Sequence, residues 1–343
     1  MGNIDKSATR AAIAPGGMTA EVLIYPRCFG AEAFGVADVL HLANRLAVAR
    51  GSPAPFSVTL VSVDAAPVES AVGACIAADR PAGSAGLLIV PGFDMPPRGE
   101  LGAFLAARRA ECDLIMRSRA EGATVAAVCV GAFLVGAAGL IDRRRATTAW
   151  AFARALQRRH PEAHVDAKAL LVDDDGVITT GAFSAAFDLG LELVRRHGGA
   201  GLAAAVARLG LIESGRTSQA AFVDDRLFDR ATGSFSQGVE AWLGTHLAEP
   251  YDLTALAARF SVSPRTLLRR FKAETGLAPL HALQTARIAM AKDLLASSAL
   301  GLAEIGQRVG YRDPSSFHTL FTSRVGLSPA SYRRRFRQLE RLA

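Results

Sequence analysis

From residue 18 to about residue 205, short apolar runs alternate with longer stretches where apolar and polar positions mix at helical spacing. Glu21–Tyr25, Phe56–Val63, Gly86–Val90, Ala123–Val128 and Val177–Thr180 read as strands. Ala31–Ala49, Leu101–Ala120, Val130–Ala138, Thr148–Arg159 and Ala185–Arg196 read as helices. Strands and helices in alternation imply a parallel sheet covered on both faces. In such sheets ligands bind beyond the carboxyl ends of the strands.

After residue 233 the pattern becomes wholly helical. Ser234–Leu247 reads as one helix, with Ser234 or Ser236 as its cap. Leu253, Leu256, Ala257 and Phe260 then follow i, i+3, i+4 and i+7 behind the capping residue Asp252. Ser263 caps the next helix, Pro264 opens it where a missing N–H costs nothing, and Gly276 stops it. A helix over Leu280–Leu295 follows, and then the same logic recurs. Leu302, Ile305 and Val309 share a face, Asp313 caps, Pro314 opens, and Phe317, Leu320 and Phe321 point inward.

The recurrence has a fixed offset. Phe271 matches Phe321, Gly276-Leu277-Ala278-Pro279 matches Gly326-Leu327-Ser328-Pro329, and Ser263-Pro264 matches Asp313-Pro314, all fifty residues apart. Upstream the offset slips to forty-nine, since Leu253, Leu256 and Phe260 match Leu302, Ile305 and Val309. Both helices are therefore kept and the turn between them differs by one residue. A short helix, a tight turn and a capped second helix form the unit that enters the DNA major groove.

A chain of 343 residues calls for two or three domains. The expected division is a disordered tail over 1–17, an α/β domain over 18–205, a linker over 206–233 and an all-α domain over 234–343. The linker is read from Gly215, Ser218 and Gly233 in a stretch without clean periodicity. Residues 234–343 hold 15 Lys and Arg against 8 Asp and Glu. The whole chain holds 39 against 32, so residues 1–233 balance at 24 against 24 and the helical repeat carries all of the excess. A neutral body joined to a basic end fits a phosphate-binding module on a domain that does not bind nucleic acid.

Cys28, Cys75, Cys112 and Cys129 form no CxxC pair and no zinc spacing, which fits free thiols in a reducing cytoplasm. No cofactor and no metal site is expected. Residues 1–17 lack the apolar core of a signal peptide. Ala123–Ile141 is 19 residues without a charge, followed by Asp142-Arg143-Arg144-Arg145, and imitates a membrane span. Its glycines and its midway change of pattern favour a strand and a helix meeting at Cys129, and no membrane association is expected.

Candidate chemistry gathers at that junction. A cysteine between strand and helix sits on the tight turn that exposes a side chain above a sheet. Facing the helix's unpaired N–H groups, its thiol should favour the thiolate. Val130 follows it in the turn. Pro91-Gly92-Phe93 follows another strand and can offer backbone N–H groups from Gly92 and Phe93. Glu32 begins the helix after the first strand and can aim a carboxylate at the same spot. A lone cysteine in such a place otherwise reads as a small buried hydrophobe.

Residues 18–205 resemble the ThiJ/PfpI superfamily. The likeness rests on Ala127-Val128-Cys129-Val130-Gly131-Ala132-Phe133, Ala138-Gly139-Leu140-Ile141-Asp142, Thr147-Thr148-Ala149-Trp150 and Asp38-Val39-Leu40. It implies a flavodoxin-like parallel-sheet fold related to class I glutamine amidotransferases, with Glu32 sharing a hydrogen bond with the elbow cysteine. Two departures bear on activity. Hydrolase-like members often carry His directly after the cysteine, where this chain has Val130. Related regulators usually have His before the Trp, where it has Ala149. Without a Cys–His base pair, hydrolysis loses a contribution of about 10²–10⁴. The domain is therefore expected to bind a ligand at Glu32, Gly92, Phe93, Cys129 and Val130, and not to act as an enzyme.

The last hundred residues resemble the AraC/XylS transcriptional regulators. The matching positions are Ser263 to Gly276, Arg287 with Ala291, Ile305, Gly310-Tyr311, Phe317, Phe321, Gly326, Pro329 and Tyr332-Arg333. Together the two resemblances narrow to GlxA-type regulators. Arg265, Thr266, Leu268 and Arg269 face outward on the first recognition helix, and Ser315, Ser316, His318 and Thr319 on the second. Arg333, Arg335 and Arg337 suit phosphates. Arg-to-guanine is the commonest specific base contact, so the first unit is expected to read sequence and the second mainly to position. An intramolecular ion pair is the competing role for Arg269, and a solvated surface position for His318. The resemblance implies promoter DNA, RNA polymerase and a small, nitrogenous effector as partners, a homodimer, and activation more than repression. An enzyme using Cys129 and Glu32, a thiol redox sensor at Cys129, and a DNA-binding scaffold with a degenerate first domain are the alternatives.

Overall fold

In the computed structural model the described residues are 13–97, 99–224, 226 and 234–337. Residues 1–12 of the expected tail, 225 and 227–233 of the expected linker, and 338–343 lie outside them. The chain divides into two compact units, with the boundary between Gln219 and Ala220.

The first unit is built on a seven-stranded sheet. Its strands are β1 (Ile13–Leu23), β2 (Ala54–Ser62), β5 (Arg80–Pro81), β6 (Leu87–Val90), β7 (Thr124–Ala127), β10 (Leu171–Asp174) and β11 (Val177–Thr180). Two ribbons stand apart, β3 (Val68–Glu69) with β4 (Cys75–Ile76) and β8 (Arg145–Ala146) with β9 (His164–Val165). The order in the large sheet is β10-β11-β7-β6-β1-β2-β5, and every pair is parallel except β10 with β11. Among the principal parallel strands this is the flavodoxin-like order, reversing direction between β1 and β6. Every residue of β6 is buried, as a strand covered on both faces requires.

The helices of this unit are α1 (Gly30–Ala49), α2 (Leu101–Ala106), α3 (Arg109–Ala120), α4 (Ala132–Ala137), α5 (Ala153–Arg159), α6 (Ala185–Gly198) and α7 (Ala200–Leu209). The single helix expected over Leu101–Ala120 is broken at residues 107–108. The uncharged run 123–141 divides into β7, a 3-10 turn at Cys129–Gly131, and α4. No helix among the described residues is long and apolar enough to cross a membrane.

Two boundaries move. The expected tail over 1–17 is too long, because β1 starts at Ile13, which pairs with Ala54 across a register shift before Met18. Strand pairing gives those backbone groups partners that side-chain composition did not announce. The stretch expected as linker is folded in part. Residues 217–219 run beside 168–170, with Gln219 N–H donating to Lys168 O at 2.9 Å and an isolated bridge between Ala169 and Ser218.

The second unit contains α8 (Phe235–Thr245), α9 (Leu253–Arg259), α10 (Pro264–Thr275), α11 (Pro279–Ser297), α12 (Leu302–Arg308), α13 (Pro314–Val325) and α14 (Pro329–Phe336). The caps are local chemistry. Ser234 accepts from Gln237 N–H, Asp252 from Thr254 and Ala255, Ser263 from Thr266, and Asp313 from Ser315 and Ser316. Gly276 and Gly326 end α10 and α13 at φ 74°, the left-handed conformation that favours glycine. The helix-to-helix turn is residues 260–263 between α9 and α10 and 309–313 between α12 and α13, one residue longer.

Two small cores result. Val239, Leu243, Leu256, Leu267, Phe271 and Leu283 form one, and Ile288, Ala291, Leu295, Ile305, Phe317 and Phe321 belong to the other. Helix α11 feeds both, with Leu283 on one side and Ile288, Ala291 and Leu295 on the other. Between them the buried Arg287 donates to Leu247 O at 2.9 Å and Glu249 O at 2.6 Å, and its guanidinium lies 5.2 Å from the centre of the Tyr311 ring. Arg324 of α13 donates to Gln284 Oε1 at 2.7 Å and contacts His281 Nε2 at 2.8 Å.

Candidate functional site

The loops that leave β1, β6 and β7 meet at the place where the sheet reverses direction. Val90 is followed by Gly92, Ala127 by Cys129, and Leu23 leads to α1 with Glu32 in its first turn. Cys129 has φ 54°, a strained conformation for a residue with a side chain and the mark of a strand-to-helix elbow. Gly131 makes the elbow fit, since a Cβ there would lie 2.5 Å from Val90 O and 2.6 Å from Pro91 O. A Cβ on Gly92 would lie 2.8 Å from Glu32 Oε2, 3.2 Å from Cys129 Cβ and 3.3 Å from Val130 Cγ2. Four of the five expected ligand-binding residues are thus brought together. The fifth, Phe93, expected for its backbone N–H, follows Gly92 in the same loop, and its side chain turns into the core and stacks on Phe104 at 4.4 Å.

The elbow is closed. Glu32, Gly92, Phe93, Cys129 and Val130 are all buried. Glu32 Oε2 accepts from Gly92 N–H at 2.6 Å, while Oε1 has no hydrogen-bond partner among the described residues. Burial raises the Glu32 carboxyl to about 7, against the Gly92 N–H and the Cys129 thiol, which pull it down. Burial also raises the Cys129 thiol to about 12, and the neighbouring Glu32 charge adds to the rise. The backbone amides of Phe183 and Val130 oppose it and lose. The expected thiolate is therefore overturned. The elbow opens into a 3-10 turn and a six-residue helix, too little dipole to offset desolvation. None of the groups that perturb the thiol is a histidine. His160 packs against Gly136 at the end of α4 and pairs with Asp142 at 3.2 Å.

Two further side chains complete the surroundings. Tyr25 donates a short hydrogen bond to Pro91 O and is held well above the usual phenol range by burial. Thr148 donates to the Cys129 carbonyl at 2.8 Å. Thr148 was expected to start a helix. It lies instead in an extended loop before a 3-10 turn at Trp150–Phe152 and α5. No group of three or more His, Cys, Asp or Glu among the described residues is placed to share a metal ion.

In the second unit the recognition helices α10 and α13 expose the expected faces. Arg265, Leu268 and Arg269 are exposed, and Thr266 is half-buried with its hydroxyl 2.9 Å from Ser263 Oγ. Among the described residues the side chains of Arg265 and Arg269 form no hydrogen bond or ion pair, so the competing ion-pair role for Arg269 finds no partner. On α13, Ser315, Ser316, His318 and Thr319 are exposed, with Ser316 Oγ engaged by Asp313 at 2.7 Å. Arg312, which sequence reasoning did not single out, is exposed just before this helix.

Two of the three arginines of α14 depart from the expected phosphate contacts. Arg333 donates to Leu300 O at 2.6 Å and is half-buried, and Arg335 lies 5.4 Å from the Phe222 ring centre. Both are held by the unit's own packing, while Arg334 between them is exposed.

A model of the DJ-1/PfpI family matches residues 9–196, more than half of the chain. The chain belongs to the DJ-1/PfpI family. A helix-turn-helix domain model matches residues 256–335 of the same chain. The chain is similar to the HTH-type transcriptional regulator GlxA of Rhizobium meliloti, 31% identical over 62% of this chain and 66% of that one. It is similar to the MmsAB operon regulatory protein of Pseudomonas aeruginosa, 40% identical over 30% of this chain and 34% of that one. The matched stretch thus spans just under two thirds of the first relative and about a third of the second. A crystal structure of an AraC family transcriptional regulator from Pseudomonas putida is 24% identical, covering 56% of this chain and 98% of that one, with a TM-score of 0.47. This DJ-1/PfpI chain has the GlxA-type build, a DJ-1/PfpI domain fused to an AraC-type helix-turn-helix domain. Within it the DJ-1/PfpI elbow has Val130 after the cysteine and Ala149 before the Trp, both buried and neither able to move a proton.

Proposed function

We propose that the protein is a sequence-specific transcriptional regulator that binds duplex promoter DNA through α10 and α13. The observation that carries the reading is the pair of capped helix-turn-helix units around α11, with Arg265, Leu268 and Arg269 exposed and unpartnered. Arginine can bridge guanine O6 and N7, and an exposed leucine suits a thymine methyl. Because α11 serves both cores, the two reading helices form one body suited to successive major grooves about 34 Å apart.

The DJ-1/PfpI domain senses rather than catalyses. A neutral thiol beside a half-titrated carboxyl, with no histidine, is a poor nucleophile. The effector is a small, nitrogenous metabolite taken at the elbow, and the regulator works in the cytoplasm as a homodimer that engages RNA polymerase, as an activator. The test is fluorescence anisotropy on promoter fragments over a salt series. Binding should weaken with a log–log slope of about −0.9 per neutralised phosphate. Lack of binding to any fragment in dilute buffer sinks the reading.

A further inference from the structure

The last residue of the first unit is buried in the surroundings of the elbow. Gln219 is 3% exposed, and its side-chain amide is fully engaged. Nε2 donates to Thr148 O at 2.8 Å and Ala169 O at 3.2 Å, with Thr147 Oγ1 at 3.4 Å. Oε1 accepts from Trp150 N–H at 3.2 Å and Ala182 N–H at 3.3 Å. One side chain thus clamps two loops, 147–150 and 181–183. Both loops reach Cys129, Thr148 by its hydroxyl on the carbonyl and Phe183 by its amide toward the thiol. Gly181 makes room for the clamp, since a Cβ there would lie 2.8 Å from Gln219 Oε1.

The next residue belongs to the DNA-binding unit. Lys292 of α11 donates to Ala220 O at 3.1 Å and to Val223 O at 2.8 Å. Ala221 is buried in the core that holds α13, and Phe222 meets Phe336 of α14 edge-on at 5.5 Å. Gln219 and Ala220, neighbours in the chain, are thus each anchored within their own unit.

We propose that Gln219 is the positioning residue that couples the Cys129 elbow to the DNA-binding unit. It clamps the two loops that bracket the elbow and passes their rearrangement through the next peptide to 220–223. A ligand can open the closed elbow by displacing one of these loops. Doing so breaks hydrogen bonds to a buried amide, which is costly unless the amide moves as well. The inference rests on the regulator reading above.

Coupling between sites is reciprocal, so it can be measured from the DNA side without knowing the effector. The probe is a duplex that the full-length protein has selected from a randomised library. The readout is hydrogen exchange of the elbow segment 128–135, to which Gln219 makes no direct bond. In the wild type, DNA should change elbow exchange by about fivefold or more. In Gln219→Ala the change should vanish while DNA is still bound. Gly181→Ala attacks the clamp from the opposite side and should give the same loss, which covers the case that Gln219→Ala does not fold. An elbow that ignores DNA in the wild type, or one that still responds in the folded variants, overturns the coupling role. Failure to select any duplex overturns the regulator reading instead.

Discussion

The backbone N–H of Gly92 donates to Glu32 Oε2 at 2.6 Å, while Glu32 Oε1, on the same buried carboxyl, has no hydrogen-bond partner among the described residues. Burial outweighs the Gly92 N–H and the Cys129 thiol, which favour the charged form, so the carboxyl is raised to about 7. The folded state then holds a proton that the unfolded state, with an ordinary glutamate near 4.5, gives up earlier. Stability from this group is fully present below about 4.5 and is lost as pH rises through 7. Glu32→Gln removes the titration. The wild type should lose roughly 2–3 kcal/mol relative to Glu32→Gln between pH 5 and pH 8. Denaturant unfolding of both proteins at the two pH values measures it, and parallel pH profiles would show Glu32 to be ionised in the fold.

Burial of Cys129 leads to the opposite of a reactive thiol. With its pKa at about 12, the thiolate fraction near pH 8 is about a thousandfold below that of an ordinary cysteine. Cys75 is the exposed cysteine of the chain. Timed iodoacetamide labelling read by mass spectrometry should modify Cys75 first and Cys129 only on unfolding. Rapid labelling of native Cys129, or peroxide-sensitive DNA binding lost in Cys129→Ser, would instead establish the redox-sensor alternative.

These two cases show where sequence reasoning stops. The duplicated helical unit was legible because its signals are local. Ser263 and Asp313 cap, Pro264 and Pro314 open, Gly276 and Gly326 close, and even the forty-nine-residue offset foretold the longer second turn. The elbow was legible as a place, since Cys129, Gly92 and Glu32 converge there. Its electrostatics were not, because desolvation depends on how completely distant segments cover the thiol. Gln219 was also invisible. It stands in a stretch without periodicity, and its partners Thr148 and Ala182 are 71 and 37 residues away in sequence. Arg333 failed for the same reason, its acceptor Leu300 O lying 33 residues upstream.

Arg333 and Arg334 should therefore separate. Arg333→Ala removes a charged hydrogen bond to a backbone carbonyl and should destabilise the second unit by about 1.5–3 kcal/mol. It should leave the salt slope of DNA binding almost unchanged. Arg334→Ala, at an exposed position, should cost little stability. Thermal unfolding and salt titrations of both variants decide the matter. A slope that drops by about one for Arg333→Ala would restore it as a phosphate contact.

Arg269 carries the prediction closest to function. It is exposed on α10 one helical turn from Arg265, with Leu268 beside it, and it has no ion-pair or hydrogen-bond partner among the described residues. Nothing inside the unit depends on it, so Arg269→Ala should leave unfolding within about 0.5 kcal/mol of wild type. Its loss on DNA should be about 1–3 kcal/mol and concentrated at particular base pairs. The measurement is competition binding against a panel of single-base-pair substitutions in a selected duplex. For a base-reading arginine, the variant becomes indifferent at one or two positions where the wild type discriminates. A uniform loss across the panel would assign Arg269 to the phosphates, and sequence selection would then rest on Arg265, Leu268 and the polar face of α13.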